Sequence, residues 1–177
     1  SFGHMIVPMT DGNKKNTHME VSGKYLSDYF ALINEDGAFT KMKNNKFADA
    51  KYAVSELNAC SAAHNTFGIN PYGELVPCIL SKVSAGSLLK DSLKDLWYNS
   101  NVLKEWRGIK LKDIYKCNKC NLITMCVICP AHQLLENKAL KPVRAMCESA
   151  YLTDKYRKEA QSEDRKASQE ALCKTYC

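Results

Sequence analysis

A small α+β fold is predicted, with one β-hairpin, several short helices, a loop-rich cysteine segment and a long terminal helix. Three stretches predict it. "FGINPYGELVPCIL", residues 67–80, sets apolar residues on both sides of a turn containing Pro71 and Gly73, which is a hairpin pattern. "CNKCNLITMCVIC", residues 117–129, packs four cysteines into 13 positions and shows neither strand nor helix periodicity. After Cys147 the chain has no Gly or Pro and is rich in Ala, Glu, Lys and Gln, so a helix runs from about Glu148 to Leu172.

The remaining elements follow in order. "MIVPMTDGN" reads as a short strand, with Ile6 and Val7 extended and Asp11-Gly12 turning. Ser22 caps a helix reaching about Asn34, whose Tyr25, Leu26, Tyr29, Phe30 and Ile33 recur on one face. That aromatic stripe is core packing. Pro77 indicates that the second hairpin strand lies at an edge or ends there. From Ser84 to Gly108 the pattern is helical. Leu88, Leu89, Leu93, Leu96 and Trp97 share a face, Asn99 to Asn101 break it, and Val102, Leu103 and Trp106 resume it. Trp97 and Trp106 are read as core residues holding two short helices to the hairpin. The apolar face of the terminal helix thins after Tyr156.

At 177 residues, with 45% hydrophobic and 25% charged residues, the chain is an ordinary globular domain, or one and a fraction. It has no membrane-spanning apolar run and no secretory signal, so a cytoplasmic location is expected. The net charge of +6 is spread, with 25 basic residues among 19 acidic ones. The Lys-rich stretch 40–51 contains Phe47 as its one aromatic and reads as a solvated linker, not a nucleic-acid surface. Residues 1–4 resemble a cloning remnant.

Seven of the nine cysteines form the pattern C-x12-G-x4-C, then C-x2-C-x5-C-x2-C, then C. They are Cys60, Cys78, Cys117, Cys120, Cys126, Cys129 and Cys147, with Gly73 as the glycine. Disulfides fit poorly, because the total is odd and such close cysteines would close strained loops. A thioredoxin-type pair belongs at a helix start after a strand. Two zinc knuckles are a stronger rival, yet the five-residue gap is short for a zinc ribbon and leaves Cys60, Cys78 and Cys147 unused. Iron–sulfur clusters fit best, since compact cysteine runs often divide their thiolates between two clusters.

This spacing resembles the SPASM domain, the auxiliary-cluster module at the C-terminus of radical S-adenosylmethionine enzymes that modify ribosomal peptides. "INPYGELVPC" and "GSLLKDSLKDLWYNSNVLKEWR" extend the resemblance over about residues 60–150. The two-residue gap from Cys126 to Cys129 looks like the variant in thioether-forming sactipeptide and ranthipeptide maturases. The resemblance implies a small cluster-organised SPASM fold with two 4Fe-4S clusters. Cys117, Cys120, Cys126 and Cys147 would ligate auxiliary cluster II in full, and Cys60, Cys78 and Cys129 would hold auxiliary cluster I. Some members place another cysteine where this chain has Val54, so cluster I would keep an open iron for a substrate thiolate.

The resemblance also implies partners: a precursor peptide with its leader and core cysteine, an electron-donor protein, and the radical-generating barrel. That barrel's CxxxCxxC motif is absent. "CKTYC", Cys173 to Cys177, has the first spacing alone and reads as two surface thiols. Residues 5–50 would be the last strand–helix unit of the barrel plus a basic linker, 51–150 the SPASM domain and 151–177 a helical extension. S-adenosylmethionine would act in the full-length enzyme, and this chain alone would not cleave it. A free-standing docking module for a peptide or partner, without catalysis, and a zinc-stabilised interaction domain are the rival readings. His132, three residues beyond Cys129, is expected to pack or lie at the surface rather than tune a cluster. Met146 is expected in the core.

Overall fold

The computed structural model describes residues 15, 17–19, 21–35 and 56–176, and from residue 163 onward the backbone alone. The strand expected near Ile6, the basic linker, Val54 and Cys177 lie outside the described residues. The backbone of Cys173 belongs to the terminal helix.

The elements are α1 (Gly23–Glu35), β1 (Gly68–Ile69), β2 (Glu74–Val76), β3 (Gly86–Ser87), α2 (Leu93–Asn99), α3 (Asn101–Gly108), α4 (Pro130–Asn137) and α5 (Arg144–Tyr176). The strands form one antiparallel sheet in the order β1-β2-β3. Gly68 pairs with Val76 and Ile69 with Leu75, while Glu74 pairs with Ser87 and Leu75 with Gly86.

The hairpin turn is built as its residues dictate. Asn70 Oδ1 accepts from the Tyr72 and Glu74 N–H groups, both at 3.0 Å, which is an Asx turn. Gly73 closes it at φ 75°, a left-handed backbone that a side chain makes costly. An added Cβ there would also meet Leu89 Cγ at 3.2 Å. Pro77 ends β2 as anticipated, but β2 is the central strand, not an edge.

The helical reading from Ser84 onward is corrected. The residues after Ala85 do not begin a helix: Gly86 and Ser87 pair with β2 as β3, and helix starts at Leu93. Leu89 is consequently 82% exposed instead of sharing a buried face with Leu96. Ser92 supplies the start, its hydroxyl accepting from the Asp95 N–H at 3.1 Å as an N-cap. The segment to Cys129 is irregular apart from three 3-10 turns, Leu111–Asp113, Cys117–Lys119 and Ile123–Met125. A regular helix, α4, then begins directly after Cys129 with Pro130 in its first turn, where proline's fixed φ and missing N–H do no harm.

The main core joins Ala62, Ala63, Leu75, Leu96, Leu103 and Trp106, with Ala131 of α4 beneath. Trp106 is buried. Trp97 is half-buried, its ring edge-on to Phe67 at 5.8 Å and under the Arg107 guanidinium at 4.6 Å. Arg107 ties this region together: Nε donates to the Ala63 carbonyl at 2.6 Å and Nη2 to the Trp97 carbonyl at 2.7 Å. A second cluster packs α1 on α5 through Leu26, Phe30, Leu152, Tyr156 and Ala160. Tyr25, expected on this stripe, points to solvent. α5 starts four residues before the predicted Glu148 and continues to Tyr176.

Candidate metal centre

The seven patterned cysteines are free thiols, and the fold sorts them into two groups. Cys117 opens one 3-10 turn and Cys120 follows it, its N–H donating to the Cys117 carbonyl at 3.0 Å. Cys126 follows the next turn, and Cys147 lies in the first turns of α5. These four line one cavity of about 60 Å³ with Leu122, Ile123, Ile128 and Ala150. A single buried water needs only ~10–15 Å³, so the hollow accepts a multi-atom group.

The other three come from separate elements. Cys60 sits in the loop before the Ala62–Thr66 bridge, Cys78 just past β2, and Cys129 at the N-cap of α4. All three pack against the main core. Between the two groups lies a small apolar cluster of Val143, Ala145 and Met146, which touches both Cys126 and Cys129. Met146 is thus a core residue.

The electrostatics separate the groups in the same way. Burial first, and then negative charge on Cys147, Cys117 and Cys120, raise the Cys126 thiol to about 12. Cys117 and Cys147 are raised by burial first and then by neighbours in the same set, with Glu148 adding to the rise at Cys147. Cys78 and Cys129 are also raised by burial, with repulsion confined to their own trio. In that trio backbone N–H groups oppose the shift, because a donor aimed at sulfur favours thiolate. Leu80 and Ser81 act on Cys78, and His132 and Ala131 on Cys129. The Ala62 N–H reaches Cys60 Sγ at 3.4 Å, and the His132 N–H reaches Cys129 Sγ at 3.5 Å.

This donor set suits iron and sulfide. Without a metal, the fold favours the protonated form of Cys117, Cys126 and Cys147, and a cationic centre among them reverses that preference. Among the described residues no three His, Cys, Asp or Glu side chains form a group suited to a single metal ion; the four thiols ring a hollow.

Two neighbours were less legible in the sequence. His132 is 1% exposed, which corrects a surface placement and leaves packing. Its Nε2 is 3.4 Å from Glu136 Oε2, and burial lowers its pKa while Glu136 partly offsets the shift. Gly68 presses β1 onto the Cys78 peptide. A Cβ there would stand 2.9 Å from Val76 Cγ2, 3.0 Å from the Ile79 nitrogen and 3.1 Å from the Cys78 carbonyl carbon. The strand pattern hid Gly68 because its partner is a peptide group.

Among the described residues no helix is long and apolar enough to cross a membrane. No curated protein and no solved structure matches the chain. Residues 60–121 match the family model of SPASM, an iron-sulfur cluster-binding domain. The match spans Cys60, Cys78, Cys117 and Cys120 and ends before the remaining three. Over residues 60–121 the chain is therefore similar to the SPASM iron–sulfur cluster-binding domain.

Proposed function

We propose that this domain is the auxiliary-cluster part of a radical S-adenosylmethionine enzyme that forms thioether links in a ribosomal precursor peptide. The observation that carries this reading is the partition of seven cysteines into a four-thiol set and a three-thiol set. Cys117, Cys120, Cys126 and Cys147 hold one 4Fe-4S cluster with every iron ligated by protein. Cys60, Cys78 and Cys129 hold a second with one iron free for a substrate cysteine. Bound clusters supply one-electron transfer and a Lewis-acidic iron.

The chain's own residues do the rest. The N–H groups of Ala62 and His132 polarise the sulfurs of Cys60 and Cys129. Val143, Ala145 and Met146 keep water from the space between the two sets. The barrel that cleaves S-adenosylmethionine, the precursor peptide and an electron donor are partners in the cytoplasm.

The test uses the anaerobically reconstituted, reduced chain. A short peptide containing cysteine should alter its electron paramagnetic resonance signal, and the serine counterpart should not. Cys129→Ala should abolish the response. Identical spectra with both peptides would contradict an open iron site.

A further inference from the structure

Beside the three-cysteine set lies an apolar cavity of about 300 Å³ that the cluster reading leaves unused. Its lining includes Leu80, Val83, Trp106, Ala131, Leu134 and Leu135. Two walls continue directly from cysteines. Leu80 to Val83 follow Cys78, and Ala131, Leu134 and Leu135 lie on one face of α4, whose N-cap is Cys129. Trp106, read from the sequence as core, contributes a third wall.

The rim carries charge of one sign. Lys82 from the first wall and Lys138 from the end of α4 border the cavity, and no carboxylate lines it. Both lysines are exposed. Lys138 caps α4 in the left-handed conformation, at φ 57°. Glu136 faces His132 along another side of the same helix.

We propose that this cavity binds one apolar side chain of an acidic peptide, with carboxylates on either side of that residue meeting Lys82 and Lys138. The proposal rests on the peptide-modifying reading above and adds a subsite and a charge rule to it. Three observations select this occupant. The volume is at the lower end for ligand pockets, which are characteristically apolar with few polar anchors. The two lysines rise from different walls, which suits carboxylates spaced along a chain better than the single headgroup of a fatty acid. The protein's own candidates are repelled: residues 40–51 are Lys-rich and a second copy carries the same net charge of +6. A peptide seated here lies beside Cys78 and Cys129, so the subsite would set which part of the peptide meets the three-cysteine set.

The test is fluorescence anisotropy on the reconstituted chain with two labelled peptides, EELFEE and KKLFKK, and with dansylated undecanoate as a lipid probe. The acidic peptide should bind and the basic one should not. Exposed charge pairs are individually weak, so Lys82→Glu with Lys138→Glu should weaken EELFEE about tenfold. The same double variant should begin to bind KKLFKK, a reversal that a misfolded variant would not produce. Equal binding of both peptides, no binding of either, or EELFEE affinity unchanged in the double variant would overturn the proposal. So would binding of the lipid probe without the acidic peptide, or self-association of the chain that the double variant abolishes. Neither probe peptide contains cysteine. Failure here with iron and sulfide still bound removes the subsite alone, whereas loss of iron and sulfide binding removes the reading beneath it.

Discussion

At the scale of single residues, glycines and one arginine do what the cysteines cannot do for themselves. Gly73 permits the turn that carries the chain from β1 to β2 and on to Cys78. Gly68 lets β1 lie against the Cys78 peptide. Gly68→Ala should destabilise the protein by about 1–3 kcal/mol, the usual range for overpacking, and change the spectrum of the cluster held by Cys78. Gly108→Ala is the control, since nothing lies within 4 Å of its added Cβ. Thermal unfolding and visible absorption of both variants check this; equal behaviour would remove Gly68 from the account. The cysteine spacing and Gly73 were readable from one sequence because their requirement is local. The Arg107 clamp was not, because its Ala63 partner lies 44 residues away.

Elements that rest on periodicity were the most legible. The 3.6-residue spacing of Leu26 and Phe30 located α1 to within a residue or so, and the Gly- and Pro-free tail located α5. β3 was hidden because it is two residues long and the leucines after it mimic a helix. α4 was hidden by the cysteines before it, although Pro130 at a first helical turn was an available signal. Packing of α1 on α5 depends on Tyr156, which stacks on Phe30 at 6.3 Å and donates its hydroxyl hydrogen to the Ser27 carbonyl at 3.2 Å. Tyr156→Ala removes a buried ring of a class worth about 3–5 kcal/mol. Hydrogen exchange should then accelerate across α1 while β1–β3 stay protected. Equal acceleration in both regions would show that α1 is not a separately held element.

For the whole molecule, the cysteines set the pH response of the metal-free form. Cys126 is held at about 12 in the fold against an ordinary thiol value of 9.0. A raised thiol pKa means the fold prefers the protonated form. That contribution is complete below pH 9 and is lost as pH rises from 9 toward 12. The metal-free protein should therefore have a lower urea midpoint at pH 10 than at pH 7. The metal-loaded form should resist the change, because its thiolates are already ionised and neutralised. A metal-free midpoint that rises at pH 10 would contradict the burial of these thiols.

The division of the cysteines between two clusters was an expectation drawn from family resemblance, whereas the cavity beside Cys78 and Cys129 has no pattern in sequence. Its walls meet only after β2, α3 and α4 pack. The most direct measurement of the central claim is iron, acid-labile sulfide and zinc per chain after anaerobic reconstitution. Two four-iron clusters require about eight irons and eight sulfides, falling to about four of each when Cys120 and Cys126 are both changed to alanine. One or two zincs with no sulfide would contradict it.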